Sequence, residues 1–134
     1  MLLYALAKFI AYSLWSYLGL HLLADRRTLE GALKFGAFRW LLGVAFGVAA
    51  AVVLGPIPSE SVTTLYFGVY VPLRIVEWTI LAVVIAGSSR AQRSVVRSRG
   101  AWLWVLGGVA ISFVTDLASP EGMSGRFCVG RCLC

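Results

Sequence analysis

The stretch LYFGVYVPLRIVEWTILAVVIAG, from Leu65 to Gly87, constrains the fold of this chain more than any other. It is apolar throughout except for two charged residues near its middle, Arg74 and Glu77. A helix of about 20 apolar residues crosses the hydrocarbon core of a bilayer. Three other runs have the same character: Leu2–Ala24, Ala37–Gly55 and Ala101–Ala118. None alternates in polarity as a barrel strand does. The expected fold is therefore an all-α membrane protein, with four transmembrane helices packed as a small bundle over residues 1–118. A short Cys-rich extracytoplasmic tail, 119–134, follows. Composition agrees: 60% of the 134 residues are hydrophobic and 13% are charged, against roughly 25% charged in a soluble domain. The first run has no basic region ahead of it and only a poor cleavage site after it, so it reads as a retained helix rather than a signal peptide.

The net charge of +6 reports orientation and headgroup contact in such a chain rather than nucleic-acid binding. The first connection carries Arg26, Arg27, Lys34 and Arg39, and the third carries Arg90, Arg93, Arg97 and Arg99. The second, GPIPSESVTT, has no basic residue. The positive-inside rule places the first and third connections in the cytoplasm and both termini outside, although Lys8, Arg126 and Arg131 count against this. The expected location is a cell inner membrane. The preference for Arg over Lys, with abundant Ala, Gly and Val, points to a GC-rich bacterial source. Thr28–Phe38 reads either as a short amphipathic helix on the inner surface or as a plain loop.

On a helix, Thr63, Tyr66, Tyr70, Arg74 and Glu77 fall within roughly a quarter of the circumference. They form a polar stripe that descends from the outer surface to mid-membrane, while Gly68, Pro72, Ile75 and Thr79 face the other way. An unpaired intramembrane charge costs at least about 2.5–3.5 kcal/mol. The i, i+3 spacing of Arg74 and Glu77 lets them pair, and Tyr70 is one turn from Arg74. Pro72 cannot donate a backbone hydrogen bond, so the carbonyl of Gly68 loses its helical partner and a kink is expected there.

The first run carries Lys8, Tyr12, Ser16 and Gly19 on one side, a small-and-polar stripe suited to packing on protein. Lys8 can snorkel outward or pair with Asp116. The second run contains the ladder Gly43, Gly47, Ala51 and Gly55, which permits close helix approach. The fourth has Gly108, Ser112 and Thr115 on one face. Its Trp102 and Trp104 read as aromatic anchors at the inner interface. His21 is the only histidine, so one chain cannot supply bis-His haem ligation.

Arg90, Arg93 and Arg97, with Arg99, suit anionic lipid headgroups, each worth about 1 kcal/mol near the surface. The tail holds Cys128, Cys132 and Cys134. Outside the cell these can form a disulfide, within one chain or between subunits. With a partner's fourth ligand they can bind a soft metal. A four-helix membrane bundle with outward cysteines is similar in outline to the DsbB and vitamin K epoxide reductase group of thiol oxidoreductases, although the C-x-x-C of that group is absent here.

No motif indicates a cofactor or a catalytic constellation. The expected function is a non-enzymatic assembly or accessory subunit of a membrane complex or homo-oligomer, with Arg74 and Glu77 as its buried polar contact. Two alternatives follow from the same residues: a small ion or solute transporter or channel using the Arg74/Glu77 site with Tyr70 and Tyr66, and a membrane thiol oxidoreductase using the cysteines. The expected partners are anionic lipid and other membrane subunits or copies of the chain, with no nucleic acid.

Overall fold

The computed structural model describes residues 2–25, 28–54, 66–87 and 98–118. Among them there are four α-helices and no strand: α1 (Leu2–Ala24), α2 (Leu29–Leu54), α3 (Val71–Ala86) and α4 (Arg99–Leu117). α1 ends where the expected first span ends, and Asp25 then turns the chain with φ at 48°, in the left-handed region that Asp tolerates better than most residues. α2 begins at Leu29 rather than at Ala37. Thr28–Phe38 is therefore neither a loop nor a separate surface helix. Glu30 and Lys34 form an exposed i, i+4 pair at 2.6 Å on its first turns, worth only about 0.3–0.5 kcal/mol.

α3 is preceded by one π-helical turn, Tyr66–Tyr70, and Pro72 sits in its first turn. The expected disturbance at Gly68–Pro72 thus takes the form of a widened turn. The proline ring crowds the carbonyl four residues back and cannot donate to it, and the π register relieves both effects. α3 closes at Gly87, whose φ of 66° needs a residue without a Cβ. Its amide donates to the carbonyl of Val83 at 3.3 Å.

α1 and α3 each pack against the other three helices, whereas α2 and α4 stand apart on the longer diagonal. The core is aromatic at its centre: Trp78 meets Tyr12 and Trp104 edge-on, with centroids 5.6 and 5.3 Å apart. Around them lie Leu20, Ala32, Leu81, Ala82, Ile85, Ala101 and Val105. Trp104 is thus not the interfacial anchor that the sequence suggests. It is buried, and only Trp102 is exposed. Trp15 and Trp104 clasp α1 to α4, each indole N–H donating to the other's carbonyl at 3.0 Å. Gly108 makes the central packing possible, because the Trp78 indole occupies the place a side chain would take.

The polarity of the molecule is inverted relative to a soluble bundle. Leu3, Leu6, Ile10, Leu14, Leu22, Leu41, Val52, Leu103 and Val114 are exposed, while Lys8, Ser13, Ser16, Arg39, Glu77, Ser112 and Asp116 are buried. Water would drive the opposite arrangement. Three segments, Leu29–Ala50, Phe67–Ala86 and Arg99–Leu117, are long and apolar enough to cross a membrane. α1 is not in this group. Its Lys8, Tyr12, Ser13, Ser16 and His21 dilute its apolar character.

Candidate functional site: a buried row of charges

The site grows from the two charges that α3 places one turn apart. Arg74 Nη1 donates to Glu77 Oε2 at 3.0 Å, the pairing that their spacing predicts. The same carboxylate oxygen holds a second guanidinium: Arg39 Nη2, from α2, lies 2.6 Å away. Arg39 and Glu77 are closed off from the exterior, at 0% and 1% side-chain exposure. The Arg39 guanidinium is stacked against the rings of Tyr12 and Trp78, 4.9 Å from each centroid. Such contacts gain strength where water is excluded. Its Nη2 also faces Ser112 Oγ at 3.5 Å. Ser112 in turn accepts the Trp78 indole N–H and donates to the carbonyl of Gly108, both at 3.0 Å.

On its other side, Arg74 approaches Asp116 of α4, with Nη2 3.8 Å from Oδ2. Asp116 Oδ1 receives Lys8 Nζ of α1 at 2.6 Å and the Tyr4 hydroxyl at 3.2 Å. Of the two options open to Lys8, the structure has the ion pair. The result is one alternating row, Lys8–Asp116–Arg74–Glu77–Arg39, to which every helix contributes. It contains three cations and two carboxylates. With both carboxylates ionised it carries one positive charge in excess inside an apolar bundle.

Hydrogen bonding within the row is incomplete. Arg39 Nε and Nη1, together with the hydroxyls of Tyr12, Ser13 and Ser16, are buried without a hydrogen-bond partner. A buried polar group left unpaired costs about 1–3 kcal/mol, more when charged. Arg74 is the member nearest the exterior, at 15% exposure. It lines a groove of about 300 Å³ together with Phe67, Val71, Leu106, Val109 and Phe113.

The structure joins some of the expected site residues and separates others. Arg74 and Glu77 are together, and Tyr70 is buried on the same face of the α3 segment. Pro72 and Val76, on the opposite side, are exposed. The backbone of Tyr66 lies in the π turn, but its side chain is outside the described residues, as is Thr63. The α1 stripe faces inward as its residue types suggest: Lys8, Tyr12 and Ser16 are buried, and Gly19 abuts the indole of Trp104. Of the proposed packing residues, Gly108 and Ser112 lie in the core and Gly43 faces the two arginines. Gly47 has nothing within 4 Å among the described residues, so it packs against no helix among them. Arg99 is exposed at the start of α4. Arg90, Arg93, Arg97, Cys128, Cys132 and Cys134 fall outside the described residues. Among the described residues no group of His, Cys, Asp and Glu could hold a metal ion.

Arg39 is the site residue that sequence reading misassigns, as a charge in a cytoplasmic connection. A usable signal was present. Arg39 stands in AFRWLLG, between aromatic and apolar residues, and four positions before Gly43. Comparisons with protein families, with curated proteins and with solved structures found no match for the chain.

Proposed function

We propose that this chain is a small integral membrane protein whose row of buried charges is an ion or solute site, so that it works as a compact transporter or channel. The observation that carries this reading is the completion of Glu77 by two guanidiniums from the same chain. The Arg74–Glu77 pair therefore has no need of a polar group from another subunit. An intramembrane row with excess charge, incomplete hydrogen bonding and a partly exposed central member, Arg74, has the features of a pathway element rather than of a sealed structural pair.

In this proposal all four helices span the inner membrane of the cell, including α1. The polar residues of α1 turn inward, whereas Leu3, Leu6, Ile10, Leu14, Leu18 and Leu22 turn outward, so its lipid-facing surface is apolar. The first and third connections are cytoplasmic and both termini are outside. Arg39 drops out of the orientation count because it is buried, but Arg26 and Arg27 in the first connection and Lys34 on the first turns of α2 still mark that end as the positive-inside rule requires. The test is flux in proteoliposomes across a panel of small ions, with Glu77→Gln as the variant. Wild-type flux that Glu77→Gln changes supports the proposal. No flux in the wild type, or flux indifferent to Glu77, removes it.

A second reading, an assembly or accessory subunit, is favoured by the open face of α2. Among the described residues Gly47 has open space in front of it, and Leu41, Val48 and Val52 are exposed nearby. Close approach of another helix at such a face is favourable in lipid. Co-purification in mild detergent, with Gly47→Trp to block the face, tests it. A lone monomer unaffected by the substitution counts against it.

A further inference from the structure

The geometry points to an amphiphilic carboxylate dissolved in the bilayer, one apolar chain with one anionic end, as the solute of this row, bound in the groove that Arg74 lines. This inference rests on the solute-site reading and names the class of solute. In the groove a charged member of the row meets open space of about 300 Å³. That volume is at the lower end of the range for small-molecule sites and suits one chain rather than the paired chains of a phospholipid. Phe67, Val71 and Arg74 line it at helical spacing along the π turn and α3, and Leu106, Val109 and Phe113 do so along α4. All of these except Arg74 are apolar. Phe67 and Leu106 are exposed, at 53% and 52%, so in a bundle that spans the membrane the groove opens to lipid.

Arg74 supplies the charge argument. Its Nη1 donates to Glu77 at 3.0 Å, but its Nη2 is 3.8 Å from Asp116 Oδ2, too far for a hydrogen bond. Asp116 has closer partners in Lys8 and Tyr4, at 2.6 and 3.2 Å. Arg74 is therefore the cation with the longest contacts in the row. It is also the most exposed, at 15% against 5% for Lys8 and 0% for Arg39. Arginine stays protonated inside a protein, so Arg74 needs an acceptor and cannot relieve the excess charge by losing a proton. A carboxylate that accepts from Nη2 gives the three cations a third negative group. A neutral chain of the same length would fill the groove and leave Nη2 without an acceptor, which is costly away from water. A dianion overshoots the single excess charge, and a cation adds to it.

The experiment uses the full chain in phosphatidylcholine nanodiscs, with decanoate carrying a photoreactive diazirine at its chain end as the probe. Labelled residues are mapped by mass spectrometry. Labelling is expected to saturate and to fall within residues 67–74 and 106–113. Unlabelled decanoate is expected to displace the probe. Decanol, with the same chain and no charge, is expected to do so about tenfold more weakly, the loss that follows when a hydrogen bond between charged groups is denied. Leu106→Trp adds bulk to an exposed wall of the groove, leaves every charge in place and is expected to abolish the saturable labelling. Leu103→Trp, exposed on α4 and outside the groove, is expected to label as the wild type does. Arg74→Gln is expected to bring decanoate down to the level of decanol. The comparison of decanoate with decanol on the wild type decides the question even if these variants prove unstable. Equal displacement by decanol, a Leu106→Trp protein that labels normally, or labelling only elsewhere would each overturn the inference. Flux of small inorganic ions that depends on Glu77, without decanoate binding, sinks this site and leaves the transport reading standing. Saturable decanoate binding in the groove, without flux of decanoate or of any ion, does the reverse.

Discussion

Replacing Glu77 with Gln is expected to destabilise the bundle more than replacing Arg39 with Met, although Arg39 is the larger of the two buried side chains. The reason is the balance of charge in the row. Three cations face two carboxylates. Glu77→Gln leaves three cations against Asp116 alone, whereas Arg39→Met leaves two against two. Removing one partner of a buried pair costs about 3–5 kcal/mol, because the remaining charge stays buried. Here two guanidiniums lose the same oxygen, at 2.6 and 3.0 Å. Gln restores one neutral acceptor, so about 3 kcal/mol is expected. Arg39→Met gives up two ring contacts, each worth about 0.5–2 kcal/mol. It also removes two unpartnered nitrogens, Nε and Nη1, whose burial costs about 1–3 kcal/mol each. These two effects offset one another, and although the 2.6 Å ion pair is lost, Glu77 keeps Arg74 as its partner, so the net loss is expected to stay below about 3 kcal/mol.

The double variant sharpens the test. With Arg39 already Met, Glu77→Gln strands one fewer cation, so the two losses are expected to fall short of additivity by about 1–3 kcal/mol, as contacting residues do. Unfolding in mixed micelles, titrated with a denaturing detergent and followed by tryptophan fluorescence, reads all three variants. Trp78 is a suitable reporter because its ring touches both Arg39 and Trp104. A Glu77→Gln loss no larger than that of Arg39→Met, or strict additivity, would refute the charge argument.

Other consequences can be checked independently. Gly108→Ala drives a methyl into the Trp78 indole and is expected to cost about 1–3 kcal/mol as overpacking, read as a lower thermal midpoint, while Gly47→Ala is not. Trp15→Phe removes the donor to the Trp104 carbonyl at 3.0 Å and is expected to cost about 1 kcal/mol in the same detergent titration. Sidedness is testable with all three native cysteines changed to Ser. A cysteine at Glu60 is expected to react with an impermeant maleimide in intact cells, and one at Ser94 only after lysis.

What could be read from the sequence depended on whether partners shared a helix. Arg74 and Glu77 do, so their pairing follows from spacing alone. The inward stripe of α1 follows in the same way from Lys8, Tyr12 and Ser16. Arg39 escaped because the positive-inside rule counts any arginine near a connection, and the polar residues Thr28, Glu30 and Lys34 made its surroundings look like one. Glu30 and Lys34 lie on the exposed first turns of α2 and Thr28 just ahead of them, and the helix has already entered the apolar bundle by the time it reaches Arg39. Trp104 escaped for a different reason. A tryptophan near a span end usually anchors in the headgroups. Here its N–H is satisfied by the carbonyl of Trp15 on another helix, a contact that no local pattern reports.

The same distinction explains why α1 falls below the apolar standard met by the other three helices. Mean hydropathy averages around a helix and cannot tell a charge that faces lipid from one that faces protein. α1 and α3 form the short diagonal of the bundle, each touching the other three helices, so each has protein on more than one side. In lipid, polar side chains are stable only on such surfaces. α3 concentrates its charges in one adjacent pair and stays apolar on average. α1 spreads its polar groups, Lys8, Tyr12, Ser13 and Ser16, along several turns and loses apolar character as a result, although its outer face is lined with leucine. The two helices of the longer diagonal supply only what must reach inward, Arg39 from α2 and Ser112 and Asp116 from α4. The position of a helix in the bundle, more than its composition, thus bears on how much polarity it can carry.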